Sequence, residues 1–193
     1  MIPVMLRGER VLLRPWIDTD RAPFATMNAD PEVMRYFVAP LSREQSDALV
    51  QRLRTHIDTH GFGLWAMEAP DAEGVLRFAG FVGLSASVPF TLPLPGIVPA
   101  PHEIGWRLAR WAWGRGYASE AAALALQYAF DELAWPQLVS FTAAGNLASQ
   151  AVMRRIGLTP RGGFDHPRID AEHRLCRHVL YAQDAAQRRT RHA

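Results

Sequence analysis

The chain contains no lysine; all 21 of its basic residues are arginine. That absence removes several chemistries at once. A GKS/GKT phosphate loop, a kinase ATP-site lysine, a Schiff-base enzyme and a pyridoxal-phosphate enzyme all need an ε-amine. There is one cysteine, so no internal disulfide and no cysteine zinc cluster is expected, which suits a reducing cytoplasm. No run of about 18 apolar residues occurs, so no membrane span is expected. The opening MIPVMLRGERVLLRPW carries Arg and Glu and lacks the apolar stretch of a secretory signal. Net charge is scarce too. The formal value is +2, thinly spread, and offers a nucleic acid little. What the chain does have is 49% apolar residues and 21% charged ones in 193, enough to bury one core. A single mixed α/β domain is expected over 1–193, with its core at about 9–182 and a frayed, solvated tail at 183–193.

Residues 9–15 (ERVLLRP) read as a strand ended by Pro15, and Asp18, Thr19 and Asp20 offer N-caps to a helix near 20–29. Pro31 opens a short helical turn, EVMRYF. Ser42 with Gln45 forms a capping box for a helix running to about His60 before Gly61, with Leu49, Leu53 and Ile57 as its apolar stripe. Two strands, 62–69 and 77–87, flank the turn DAEG as an antiparallel hairpin. Residues 88–101 hold five prolines and are otherwise apolar, which excludes a central strand or a helix. That segment is either a loop packed on its own domain or a substrate lid or contact with a second copy. A strand at 102–109, an Ala-rich helix at 117–133, a strand at 137–143, a helix at 147–156 capped by Asn146, and strands near 159–164 and 174–182 complete the chain.

The informative segment is Trp113-Gly114-Arg115-Gly116-Tyr117-Ala118-Ser119-Glu120, between a strand and the long helix. Two glycines let backbone N–H groups converge without Cβ obstruction, and the helix start adds free donors and a positive dipole end. Such a turn can hold an anion, most naturally a diphosphate; it can also be a plain strand-to-helix connection. A dinucleotide fingerprint is excluded because its third glycine position is Ser119, and the GKS/GKT loop is excluded because Lys is absent.

The runs EIGWRLARWAWGRGYASEA and NLASQAVMRRIGL resemble the GNAT superfamily of acyl-CoA-dependent N-acetyltransferases, and most closely its ribosomal-protein-alanine subgroup. Trp113 stands where the superfamily usually has Gln or Arg. The resemblance implies a mostly antiparallel sheet splayed between the strands at 103–109 and 137–143, with helices on both faces and acetyl-CoA as co-substrate. It places the pantetheine arm along the backbone of Leu108 and Ala109. The diphosphate falls on the amides of residues 113–119, namely Trp113, Gly114, Arg115, Gly116, Tyr117, Ala118 and Ser119, with charge from Arg115 and Arg110. Asn146 matches a pantetheine contact, and a plain N-cap is its other reading.

Acetyl transfer to an amine needs a base for the amine proton, donors for the oxyanion, and a proton for the departing thiolate. Glu103 is the leading base candidate, on a strand face opposite Ile104, Trp106 and Leu108; its other reading is an ion pair with Arg107. Ser149, on a helix face with Val152, Met153 and Ile156, matches the subgroup's proton donor. His166, in Phe164-Asp165-His166-Pro167, is an alternative base or acceptor contact. Trp65 and Trp106 either line the acceptor groove or belong to the core. Cys176 and His178 share a strand face that His173 does not, with no third ligand evident, so no metal is expected. The implied acceptor is a small-molecule or peptide amine. The rival function is an acyl-CoA-binding sensor or interaction module without turnover.

Overall fold

The structure is a computed structural model that describes residues 4–189. The strands are β1 (Leu6–Arg7), β2 (Leu12–Arg14), β3 (Leu64–Pro70), β4 (Leu76–Ser85), β5 (His102–Leu108), β6 (Gln137–Ala143), β7 (Thr159–Asp165) and β8 (Arg177–Asp184). The helices are α1 (Arg21–Ala29), α2 (Arg43–His60), α3 (Tyr117–Asp131), α4 (Leu147–Arg155) and α5 (Ala185–Arg189). Among the described residues the strands form one mixed sheet in the order β1-β2-β3-β4-β5-β6-β8-β7. None of the described helices is long and apolar enough to cross a membrane. Two compact units divide the chain: one runs to Leu84 and includes Gly105–Ala125, the other comprises Ser85–Ile104 and the chain from Leu126 onward.

In the first unit β2 pairs antiparallel with β3, and β3 with β4, so that Leu13 faces Met67 and Trp65 faces Val82. The core under these strands includes Leu13, Trp16, Phe24, Ile57, Trp65 and Met67. Trp16 meets Phe24 edge-on at 4.9 Å and donates its indole N–H to the Leu64 carbonyl at 2.7 Å. The α2 capping box forms as the sequence predicts: Ser42 Oγ accepts from the Gln45 N–H, Gln45 Oε1 accepts from the Ser42 N–H, and Gly61 ends the helix at φ +79°. The buried stripe of α2 differs. It carries Ser46, Val50 and Ile57, because the Ser46 hydroxyl is drawn inward to accept from Asn28 Nδ2 at 2.9 Å. Asp20 does not cap α1 either. It is buried and clamped by both terminal nitrogens of Arg14, at 2.7 and 2.8 Å, while Arg14 Nε donates to Glu68. The expected strand 9–15 is shorter, Leu12–Arg14, while the short helical turn expected after Pro31 is present, with Met34 N–H donating to the Asp30 carbonyl at 3.0 Å. Gly80 has φ +136°, and a Cβ there would overlap the Arg107 carbonyl oxygen and lie 2.8 Å from the Leu108 Cα. A glycine is therefore what lets β4 and β5 approach.

In the second unit β6 pairs with β8 along its whole length, from Gln137↔Asp184 to Ala143↔His178, and β7 flanks β8. β5 runs parallel to β6 at His102↔Leu138 and Glu103↔Val139. The proline-rich segment 88–101 has no regular secondary structure and packs on this sheet. Val88 and Leu92 are buried with Val139, Phe164, Leu180 and Ala182, with Phe90, Leu94 and Ile97 beside them. Gln137, 2% exposed, latches it: its Nε2 donates to the Gly96 carbonyl at 2.8 Å, and its Oε1 accepts from Val98 N–H at 3.1 Å. The packed-loop reading of this segment is the one realised. The end of the chain departs from expectation. Residues 183–184 complete β8 and residues 185–189 form α5 in place of the frayed tail expected there; residues 190–193, like 1–3, lie outside the described residues. β8 starts at Arg177, later than expected, because residues 171–175 are turn and bend.

Candidate active site

The turn ahead of α3 gathers main-chain donors. Gly114 and Gly116 sit at φ +73° and +83°, a region where a side chain is strained. The Trp113 N–H is used, donating to Arg110, and Glu120 N–H donates to Gly116. The amides of residues 114–119 have no acceptor among the described residues. Ser119 Oγ is buried beside them without a hydrogen-bond partner. Main-chain donors and an orphaned hydroxyl at a helix start fit a diphosphate with no metal or ammonium required. Trp113 is 44% exposed, and its indole N–H donates to the Leu108 carbonyl at 2.9 Å, fastening the turn to the end of β5.

A charge network that the sequence does not announce fixes the same turn. Arg10 donates from its backbone N–H to Glu120 Oε1 at 2.7 Å and from Nε to Glu120 Oε2 at 2.8 Å. Its Nη1 donates to the Arg115 carbonyl at 3.0 Å. The Arg10 guanidinium and these backbone donors hold the Glu120 carboxyl below its ordinary range, against the opposing push of burial. The buried side chain of Tyr117 turns away from the turn and donates to the Pro70 carbonyl at 3.0 Å. Arg115 is exposed, and Arg110 approaches Asp30 at 3.9 Å. At the end of β5 the Ala109 N–H already donates to Ala79 and its carbonyl accepts from Ala112, so both main-chain groups of Ala109 are engaged.

Glu103 lies on β5 in the second unit, half-buried. Its carboxyl makes no hydrogen bond or ion pair among the described residues, and burial alone pushes it up to about 7. The alternative pairing with Arg107 is not formed. Arg107 instead donates from Nη1 to Asn28 Oδ1 at 2.6 Å. Asn146 caps α4, accepting from the Ser149 N–H at 3.2 Å, while its Nδ2 donates to Thr142 Oγ1 at 2.9 Å and to Ser149 Oγ at 3.0 Å. The Ser149 hydroxyl therefore accepts from Asn146 and keeps its own proton to give.

The remaining predicted residues divide. Trp65 is 0% exposed and lies in the core between strands, so it lines no groove; its large apolar ring is stabilised by burial. Trp106 is half-buried on the strand face of Ile104 and Leu108. His166 lies at 4.7 Å from Phe90 and 4.9 Å from His178, its Nδ1 accepting from the Arg168 N–H. Burial first, then the neighbouring His178 and Arg168, holds His166 below its usual range, so it is neutral near pH 7. His173 turns its ring onto the Leu175 N–H, apart from the buried pair Cys176 and His178.

Residues 10–159 match the family described as the acetyltransferase (GNAT) domain. A protein of Bacillus subtilis (strain 168), the uncharacterized protein YkkB, is 31% identical over 151 residues, covering 78% of this chain and 82% of that one. The FsC-acetyl coenzyme A-N(2)-transacetylase of Aspergillus fumigatus is 34% identical over 136 residues, which cover 69% of this chain and 55% of that protein. A solved acetyltransferase of the GNAT family from Bacillus anthracis superposes with a TM-score of 0.74 at 21% identity, over 95% of this chain and 99% of that one, a likeness of fold.

Proposed function

The chain belongs to the GNAT acetyltransferases, and from that membership we propose that it moves an acetyl group from acetyl-CoA to a primary amine by direct attack in a ternary complex. Acetyl-CoA supplies the acetyl group as a thioester. The amides of residues 114–119, with Ser119 Oγ, hold its diphosphate, and the Arg10 and Arg115 guanidiniums add charge. Leu108 offers its backbone to the pantetheine arm, and Asn146 Oδ1 keeps a lone pair for the same arm. The motifs EIGWRLARWAWGRGYASEA and NLASQAVMRRIGL support the ribosomal-protein-alanine subgroup as the nearest relation.

An α-amine has a pKa of about 8 and a lysine amine about 10.4, so near neutral pH the acceptor arrives protonated. Glu103, held near 7, is a far stronger base than an ordinary carboxylate and takes that proton, directly or through water. The amine nitrogen then attacks the thioester carbonyl, the C–S bond breaks, and Ser149 gives its hydroxyl proton to the departing thiolate. Main-chain N–H groups stabilise charge on the carbonyl oxygen. The observation that carries this reading is Glu103 itself: its half-buried carboxyl has no partner among the described residues, and an acyl-CoA sensor without turnover would have no use for it.

The test is free-thiol release from acetyl-CoA across a panel of primary amines between about pH 6 and 9, beside calorimetric binding of CoA. Turnover that rises with pH through about 7 is expected. Tight CoA binding with no thiol released on any amine would overturn the reading in favour of the sensor.

A further inference from the structure

Arg107 is a cation that the acetyl-transfer scheme leaves idle. It sits on β5 within the first unit, and burial lowers its pKa to about 10. No carboxylate pairs with it among the described residues. Its one hydrogen bond runs from Nη1 to Asn28 Oδ1 at 2.6 Å, and Asn28, itself 0% exposed, is fixed by donating to Ser46 Oγ at 2.9 Å. The guanidinium carbon lies 4.0 Å from the centroid of the Phe37 ring and 5.4 Å from that of Phe81. Nε is buried with no partner.

An arginine clamped in this way has its plane and position set before any ligand arrives. A buried cation without an anion is costly, and the cost is offset when a carboxylate accepts from the free N–H edge. The guanidinium lies against Phe37 and Phe81, and its Nε–Nη2 edge, without a partner among the described residues, is the edge that a planar, bidentate acceptor would take once Phe37 gives way. Phe37 is 40% exposed and rides on the turn segment between α1 and α2, so the upper ring can shift without breaking a helix or strand.

We propose that Arg107 is an acceptor-recognition residue, and that the amine acetylated by this protein carries a carboxylate, held by the Arg107 guanidinium between Phe37 and Phe81. The inference rests on the acetyl-transfer reading and narrows its substrate class. The carboxylate belongs either to a free amino acid or to an acidic side chain of a short peptide.

The experiment compares matched acid and amide acceptors on the full chain with acetyl-CoA. One arm uses free α-amino acids against their amides, the other Ala-Glu and Ala-Asp amides against Ala-Gln and Ala-Asn amides. In at least one arm kcat/KM for the acid should exceed that for the amide by about tenfold or more, and the responding arm identifies the source. In Arg107→Met the acid-to-amide ratio should collapse toward one, in Arg107→Lys it should fall part-way, and guanidinium added to Arg107→Ala should restore it. A ratio near one in both arms of the wild-type protein overturns the proposal, as does a ratio unchanged in Arg107→Met. Should that variant melt far below the wild type, the wild-type ratios decide alone. If no amine turns over, calorimetric titration of the CoA-bound protein with each acid and amide decides, and equal affinities overturn the proposal. A protein that binds no CoA at all would instead refute the acetyl-transfer reading.

Discussion

Replacing Glu103 by Gln should make the protein more stable and less active at the same pH, and the structure sets both sizes. In the unfolded chain this carboxyl titrates near 4.5, whereas in the fold burial raises it to about 7. Below 4.5 it is protonated in both states and costs nothing. As pH rises the unfolded chain ionises first, so stability drains away until the folded carboxyl ionises as well, and above about 7 the full cost is present. The gap corresponds to about 3 kcal/mol at ~1.36 kcal/mol per tenfold change in proton affinity. Water reaching the half-buried side chain reduces that to roughly 1–2 kcal/mol. A neutral glutamine of the same shape escapes most of it. With roughly 2–4 °C per kcal/mol for a chain of this size, the variant should melt about 2–8 °C higher at pH 8. The two proteins should converge near pH 4. Calorimetric melting at both pH values measures this directly. On the same samples kcat should drop about 100-fold near pH 7 as the base is lost, with CoA affinity little changed. A melting difference that is negative at pH 8, or equal at both pH values, would refute the claim that burial holds the carboxyl near 7. Unchanged kcat would place the base elsewhere.

Gly116→Val forces a branched residue to φ +83°, where its Cβ would also stand 3.4 Å from Arg10 Nη2. A strain of about 1–2 kcal/mol and loss of measurable CoA binding are expected, read by melting and calorimetry. Ser149→Ala should slow turnover more with acetyl-CoA than with an acetyl thioester of a more acidic thiol, while CoA binding persists; equal slowing with both donors would remove Ser149 from proton delivery. Gln137→Leu removes the bonds to Gly96 and Val98, so limited proteolysis should cut within residues 88–101 at least several-fold faster than in the wild type.

Local rules explain which parts of this architecture can be read from the chain. The Ser42–Gln45 box, the left-handed Gly61 and the helix starts at Tyr117 and Leu147 involve residues within a turn of one another, and the structure has them where the sequence predicts. The two glycines of the 113–119 turn are legible for the same reason, because positive φ is a property of one residue. Contacts between distant residues are not. Asp20 looks like a cap until Arg14 and Glu68 converge, and Glu120 looks like a solvated first-turn acid until Arg10 arrives from 110 residues away. Nothing near Arg107 in the chain signals Asn28 or Phe37, so from the sequence an ion pair with Glu103 stays open as the alternative to a free base. The sequence leaves Trp65 open between groove and core because an amphipathic aromatic reads alike in both, and the core is where it lies. The five prolines of 88–101 exclude regular structure correctly, but the direction in which the segment folds back depends on the buried amide of Gln137.

The cradle ahead of α3 is made of peptide nitrogens and guanidiniums, none of which gains or loses a proton between about pH 5 and 9. The carboxyl on β5 changes its state in the middle of that interval. On the proposed function, occupancy by the acyl donor and the speed of its consumption are thereby uncoupled. Acidification would throttle the output of a fully loaded protein, and a return to neutrality would restore it at once, with no reloading step to wait for.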